Sequence, residues 1–399
     1  MYAILAGVTL AWAVSACAVG KTAHPAPTDA CLAPAAWYTL AGETPRAVSG
    51  PELLAEIAKH DIVLLGEQHD EADHHQWQLQ TLAGLHLLRP QMVIGFESFP
   101  RRVQPVLDKW VAGELTVKQF LEQAEWEKVW NLPAELYLPL FQFARINRIP
   151  MVALNVNRTL TEAISKQGWD AVPAEQKEGV SRPAPASEAY KDFLFDVFKT
   201  HPRLAHKEAA AVSRKDAAFR FFVESQTAWD RAIAEALARR TSIEAGRPRP
   251  LVVGIVGNGH VRHGYGVPHQ LRDLGVSNVG TLLPADGKQD CEELKRGFAD
   301  AVFAVPETRR DKPPRPRLGV RLEEAEGGVR IVNVVSNSLA EKTGLRRGDH
   351  IMSVAGIPVA NISAVISAIR IQPAGTWLPM QVRRAADTLD VVIKFPPRE

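Results

Sequence analysis

Hydrophobic residues gather in short runs along this chain, and several runs end in the same kind of polar residue. Ile62 to Leu65 is followed by Gly66, Glu67 and His69, and Met92 to Phe96 by Glu97. Met151 to Leu154 leads to Asn155, and Leu251 to Val256 to Gly257, Asn258, Gly259 and His260. Apolar runs of this length, without alternation and bounded by turn formers, predict strands covered on both faces, as in a parallel sheet between layers of helix. The intervening segments have helical spacing. From Ala72 onward Trp77, Leu82, Leu85 and Leu88 form a stripe, and within Ser213 to Leu237 so do Phe219, Phe222, Gln226, Trp229, Ile233 and Leu237. Ser49-Gly50-Pro51-Glu52 marks a helix start. Residues 103–148 read as two or three aromatic-rich helices and 160–240 as a long helical insertion. A fifth strand, Asn278 to Leu283, is expected to close the sheet. Beyond the Pro-rich stretch 305–316, a semi-rigid spacer by composition, short strands with glycine turns replace the βα alternation. The expected architecture is therefore α/β, a mostly parallel central sheet with helical insertions, followed by a small β domain.

In open α/β sheets ligands bind beyond the carboxyl ends of the strands. Glu67, His69, Glu97, Asn155 and His260 all fall there, and converge on one pocket if their strands are parallel neighbours. His75 falls in the first turn of the next helix, beneath the first strand tip. Arg101 and Arg102 follow Glu97 closely enough to hold a carboxylate or propionate. Gln226 and Asp230 lie near the same helical face, and Tyr265 sits in a glycine loop five residues after His260. Tyr137 shares a helical face with Phe141 and Ala144, which reads as core. Residues of these types at this place are candidates for metal, cofactor or acid/base work, and Tyr137, Tyr190 and Tyr265 are the tyrosines near the crevice. The mixed Glu67, His69, Glu97 and His260 set suits a divalent metal such as Mn, Co or Zn in a hydrolase or peptidase.

Composition narrows the classes. The 399 residues suffice for two domains, and a net charge of +2 with 23% charged residues carries no electrostatic footprint for nucleic acid. Cys31 and Cys291 are compatible with one disulfide or with two free thiols. Residues 1–16 are mostly apolar, too short to span a bilayer, and lead into Cys17. Val14-Ser15-Ala16-Cys17 resembles a bacterial lipobox. That resemblance implies a signal over 1–17, a lipid on Cys17 and a tether over 18–36. With Ala18 rather than aspartate next, it also implies anchoring in the outer membrane, facing the periplasm.

Taken together, the GEQH segment at 66–69, Glu97 and the GNGH segment at 257–260 make the region from about Trp37 to Asp300 similar to the ChaN family of haem-binding lipoproteins. That family sits in a wider set with erythromycin-esterase-like proteins and the Tiki and TraB membrane-linked proteases. The resemblance implies a domain over 37–304 that acts in iron or haem acquisition and binds haem as a homodimer with tyrosine as iron ligand. Its cofactor-binding residues here would come from Glu67, His69, His75, Glu97, Arg101, Tyr137, His260 and Tyr265. The protease relatives instead hold a divalent metal with residues matching Glu67, His69, Glu97 and His260. The tail, 317–399, resembles a PDZ domain of the bacterial protease type. Arg317, Leu318, Gly319 and Val320 match its carboxylate-binding loop, Ser338 to Gly348 its characteristic turn, Ile351 to Val354 the following strand, and Ser363 to Ile371 the groove helix. Such a domain captures protein or peptide carboxyl termini as an added strand.

Overall fold

The computed structural model describes residues 31–200, 213–241, 248–286, 291–306, 317–326 and 328–397. Cys17, the signal and most of the Pro-rich spacer lie outside the described residues. The chain divides into two compact units, Met1–Phe120 with Pro133–Glu307, and Leu121–Leu132 with Thr308–Glu399.

The first unit is built on eight strands: β1 (Ala36–Thr39), β2 (Arg46–Val48), β3 (Ile62–Glu67), β4 (Met92–Pro100), β5 (Met151–Asn155), β6 (Leu251–Gly257), β7 (Val279–Ala285) and β8 (Ala301–Ala304). Their order is β2-β1-β8-β7-β3-β6-β4-β5. β3 pairs in parallel with β6, from Ile62 opposite Val252 to Glu67 opposite Gly257, and with β7 on its other side. β4 lies parallel between β6 and β5. Every residue of β3, β4 and β6 is buried, which is why these runs show no alternation: helices cover both faces. Ile62, Leu64, Val252 and Val256 pack with Ile233 and Leu237 of the helix Ala217–Ala238.

The expectation that the fifth strand closes the sheet is corrected. β7 is internal; β8 runs parallel beside it, and β1 and β2 continue antiparallel. Strands of three or four residues have too few positions to show a period, so the sequence pattern passed over them. Cys31, ahead of β1, and Cys291, ahead of β8, form a disulfide with Cα atoms 5.8 Å apart. Region 103–148 carries four helices, Gln104–Ala112, Val117–Gln123, Trp126–Val129 and Leu138–Ile146. No helix among the described residues is long and apolar enough to cross a membrane.

The second unit is an antiparallel sheet of β9 (Val320–Ala325), β10 (Gly328–Val334), β11 (His350–Val354), β12 (Ile357–Pro358), β13 (Trp377–Arg384) and β14 (Asp387–Lys394). The path runs β14-β13-β11-β10-β9, with β12 on β11, so β9 has one partner and one open edge. Val329, Ile331, Ile351, Val365, Val382 and Ile393 form its core. The helices Leu339–Lys342 and Ile362–Arg370 are capped by Ser338 and Asn361, whose side chains accept from the Glu341 and Ala364 amides.

Candidate functional site

The parallel register sets the tips of β3, β6 and β4 side by side, and their polar residues meet. Glu67, the last residue of β3, is buried. Its Oε1 accepts hydrogen bonds from the Tyr137 hydroxyl at 2.6 Å and from His69 Nδ1 at 2.8 Å. Its Oε2 accepts from Gln78 Nε2 at 3.0 Å and faces His75 Nδ1 at 3.3 Å. Burial by itself pushes the Glu67 carboxyl up, but the hydrogen bonds from His69 and His75 outweigh it and hold the group far below the usual carboxylate range. Burial likewise pushes His69 down, yet Glu97 and then Glu67 raise it to about 9. His75 is raised for the same kind of reason, and its Nε2 donates to the His69 carbonyl at 3.1 Å.

The network continues through Glu97. Its Oε2 accepts from the Gly257 amide at 2.6 Å, while its buried Oε1 has no hydrogen-bond partner. His260 Nε2 lies 3.6 Å and His69 Nε2 4.0 Å from that oxygen. On its other side His260 Nδ1 donates to Asp230 Oδ1 at 2.6 Å, and Asp230 Oδ2 accepts from the Tyr190 hydroxyl at 2.8 Å. Burial and then the Asp230 charge keep the Tyr190 phenol protonated, well above its ordinary pKa. A Cβ at 257 would stand 2.8 Å from His69 Cε1, so a side chain there would push that ring aside. Asn155 donates to the Glu97 backbone carbonyl at 2.9 Å. One chain of contacts thus runs Tyr137, Glu67, His69, Glu97, His260, Asp230, Tyr190.

Of the residues singled out in the sequence, Glu67, His69, His75, Glu97, Asn155 and His260 come together as expected, and Asp230 joins them. Gln78 was missed. It holds Glu67 and the carbonyls of Leu65 and Gly66, and its signal was a polar residue one turn beyond His75 on the buried helix face. Tyr137 is buried in the core, as its helical face implied, and its hydroxyl is committed to Glu67. One expectation is corrected. Arg101 does not face the cluster: its guanidinium donates to the carbonyls of Glu178 and Ala232 at 3.0 Å and pairs with Glu235 at 3.3 Å, fastening the helix Ala217–Ala238. Tyr265 is half-buried, stacked on His263 at 5.0 Å and tilted against Tyr190 at 5.8 Å.

Among the described residues no group of three or more His, Cys, Asp or Glu is arranged to hold a metal ion. The divalent-metal reading of Glu67, His69, Glu97 and His260 therefore finds no support among the described residues.

In the second unit Gly319 has φ +77°, and a Cβ there would collide with Ser338. The backbone amides of Leu318 and Gly319 donate to nothing among the described residues, although their carbonyls accept from Ala340 and Val335. Free amides in a glycine turn beside an open strand edge form an anion-binding concavity.

Comparison with known proteins agrees with both units. Residues 53–271 match the family model described as haem-binding uptake, Tiki superfamily, ChaN, and residues 316–395 match the PDZ domain. Among solved structures the chain is similar to ChaN of Campylobacter jejuni, described as binding haem cofacially. The identity is 20%, the TM-score 0.49, and the match covers 67% of this chain and 96% of that one. It is also similar to an HtrA3 PDZ domain bound to the phage-derived ligand FGRWV, at 25% identity and TM-score 0.18, covering 20% of this chain and 82% of that one. A serine endoprotease from Yersinia pestis is similar at 20% identity and TM-score 0.19, covering 21% of this chain and 30% of that one. No curated protein matches the chain. With more than half its length matched, this chain belongs to the haem-binding uptake family ChaN of the Tiki superfamily, and it carries a PDZ domain at its carboxyl end.

Proposed function

We propose that the first unit binds haem with Tyr265 as the iron ligand, and that the PDZ unit captures peptide carboxyl termini. Family membership supports haem as the ligand, and the resemblance implies a tyrosine on the iron. The observation that selects Tyr265 is the state of the phenols. The Tyr137 hydroxyl is committed to Glu67, the Tyr190 hydroxyl to Asp230, and the Tyr38 hydroxyl accepts from the Ala33 amide at 2.8 Å. Only the Tyr265 hydroxyl, among the described tyrosines, has no hydrogen-bond partner, and its ring is half-exposed in an aromatic setting of His263, Phe298 and Tyr190. A free phenol among flat rings fits a porphyrin. Bound haem would supply a Lewis-acidic iron for the phenolate, and the rings would shield it from water. The buried Glu67 to Asp230 network would hold the adjoining loop rigid.

The same reading has the chain pair as a homodimer, carry a lipid on Cys17, face the periplasm from the outer membrane and act in iron or haem acquisition, as the family resemblance and the Val14 to Cys17 segment suggest. Haemin titration tests the central point. The wild type should show a Soret shift and a phenolate charge-transfer band at micromolar protein; Tyr265→Phe should lose the band and Tyr137→Phe should keep it. Absence of any Soret shift in the wild type overturns haem binding, and an unchanged band in Tyr265→Phe overturns the ligand. For the anchor, palmitate labelling that persists in Cys17→Ser overturns lipidation at that residue.

A further inference from the structure

Resting on the reading above that Cys17 carries a lipid, we infer that an apolar groove of the first unit shelters one acyl chain of that lipid. The groove is a cavity of about 410 Å³ lined by the helices Gly50–Ile57 and Ala72–Leu88 and by Trp37 of β1 and Phe303 of β8, a size typical of small-molecule sites. Its residues on the second helix, among them Gln80, Gly84 and Leu87, lie across the helical period from His75 and Gln78. The groove is therefore separate from the Glu67 network.

Its walls suit an uncharged chain. Trp37, Trp77 and Phe303 form one aromatic cluster, with ring centroids 5.1 to 6.4 Å apart. Leu54, Leu87 and Leu88 add aliphatic surface, and no lining residue is charged. Leu87 is 85% and Leu88 48% exposed, an apolar rim left to water. Glycine is disfavoured inside a helix, yet at position 84 it leaves room: a Cβ there would stand 2.7 Å from Leu54 Cδ1. Trp77 is buried, and its indole N–H donates to nothing among the described residues. A buried donor without an acceptor is costly, and the carbonyl that links an acyl chain supplies one without bringing charge. A carboxylate or haem propionate would enter a groove with no cation to meet it. The path of the chain selects the occupant. Trp37 of the wall stands 20 positions after Cys17, a stretch that spans at most about 70 Å. The Cys31–Cys291 disulfide and the Ala33 amide on the Tyr38 hydroxyl fix the segment that leads into that wall. A lipid tethered within reach of the mouth has a high effective concentration there and fills the groove ahead of free lipid.

The test is photo-cross-linking of the full chain. Cells are fed a palmitate analogue carrying a diazirine, the protein is purified in detergent and irradiated, and cross-links are mapped by mass spectrometry after intact mass has shown whether Cys17 is acylated. Cross-links should join the Cys17 lipid to Leu54 or to the segment Trp77 to Leu88 of the same molecule. Gly84→Leu, which places a side chain in the groove, should lose most of them. Leu87→Glu, a charge at an exposed rim position that leaves the core untouched, should lose them too. Acylated chains whose cross-links go only to detergent or to other faces overturn the inference and leave the lipid reading standing. A cross-linked dimer, with the lipid in a second copy's groove, does the same, as do cross-links unchanged in both variants. No acyl mass on Cys17 overturns the lipid reading and the inference together.

Discussion

The two units handle buried charge in opposite ways. The first unit buries Glu67, Glu97 and Asp230 with His75 and His260 in one connected network that half-buried His69 bridges, and leaves a phenol at 265 free beside it. In the second unit the described residues bury one ionised side chain, Asp349, held by Arg384 at 2.7 and 2.8 Å and by the Arg346 amide at 2.8 Å. Its groove is apolar side chain plus unbonded backbone. A preformed polar cavity can orient a ligand with reactive or charged parts, because its groups are already desolvated and aimed. An open strand edge reads main chain and shape, so it suits peptides and needs little side-chain chemistry.

Removing Glu67 should break the contrast most severely. Glu67→Ala leaves buried His75, Gln78 and Tyr137 and half-buried His69 without their common partner, at a cost of about 3–5 kcal/mol. Differential scanning calorimetry should show the first unit melting about 10 °C lower, with the PDZ transition unmoved; a loss under about 1 kcal/mol contradicts the network. Next in size is the disulfide. Reducing Cys31–Cys291, a closure over 260 residues, should remove about 2–5 kcal/mol from the first unit alone. Intact mass after alkylation without reductant should show neither cysteine labelled, and labelling of both would end the disulfide.

A smaller effect is expected in the second unit. Arg384→Ala leaves Asp349 buried with its backbone donor alone and should lower that transition by about 1–3 kcal/mol, while Arg384→Lys restores part of it; no change would mean that the pair is dispensable. The pH dependence sharpens the contrast further. His69, His75 and His260 have raised pKa values in the folded state. Their stabilisation is complete below the ordinary imidazole pKa and is lost as pH rises through about 9, the value for His69. Asp349 is depressed by Arg384 and Arg346, so its contribution is present above the ordinary carboxylate pKa and is lost as pH falls through the lowered one. Between pH 6.5 and about 9 the first unit should therefore lose stability while the second stays flat. A flat first-unit profile in urea denaturation over that range would show its imidazoles neutral throughout.

Chemistry at strand tips was legible because apolar runs and the polar residues that end them are local features. Glu67, Glu97 and His260 could be nominated without knowing which strands are neighbours. Arg101 shows the limit: its partner Glu235 is 134 residues away, and nothing local distinguishes an arginine aimed at a ligand from one that fastens a helix. Tyr137 shows the same limit from the other side, since helical spacing identified its buried face but not the carboxylate 70 residues away that its hydroxyl meets there.

By itself, the order of residues determined the α/β alternation, the break before the carboxyl-terminal domain and the acids and imidazoles that close each strand, because hydrophobic period and turn chemistry act over a few positions. Only the tertiary structure decided that β6 lies between β3 and β4, and so that His260 faces Glu97. It alone decided that Gln78 and Asp230 complete the network and that Tyr265 keeps its hydroxyl free. Those outcomes depend on which distant segments share a face, and that is settled by packing of the whole core.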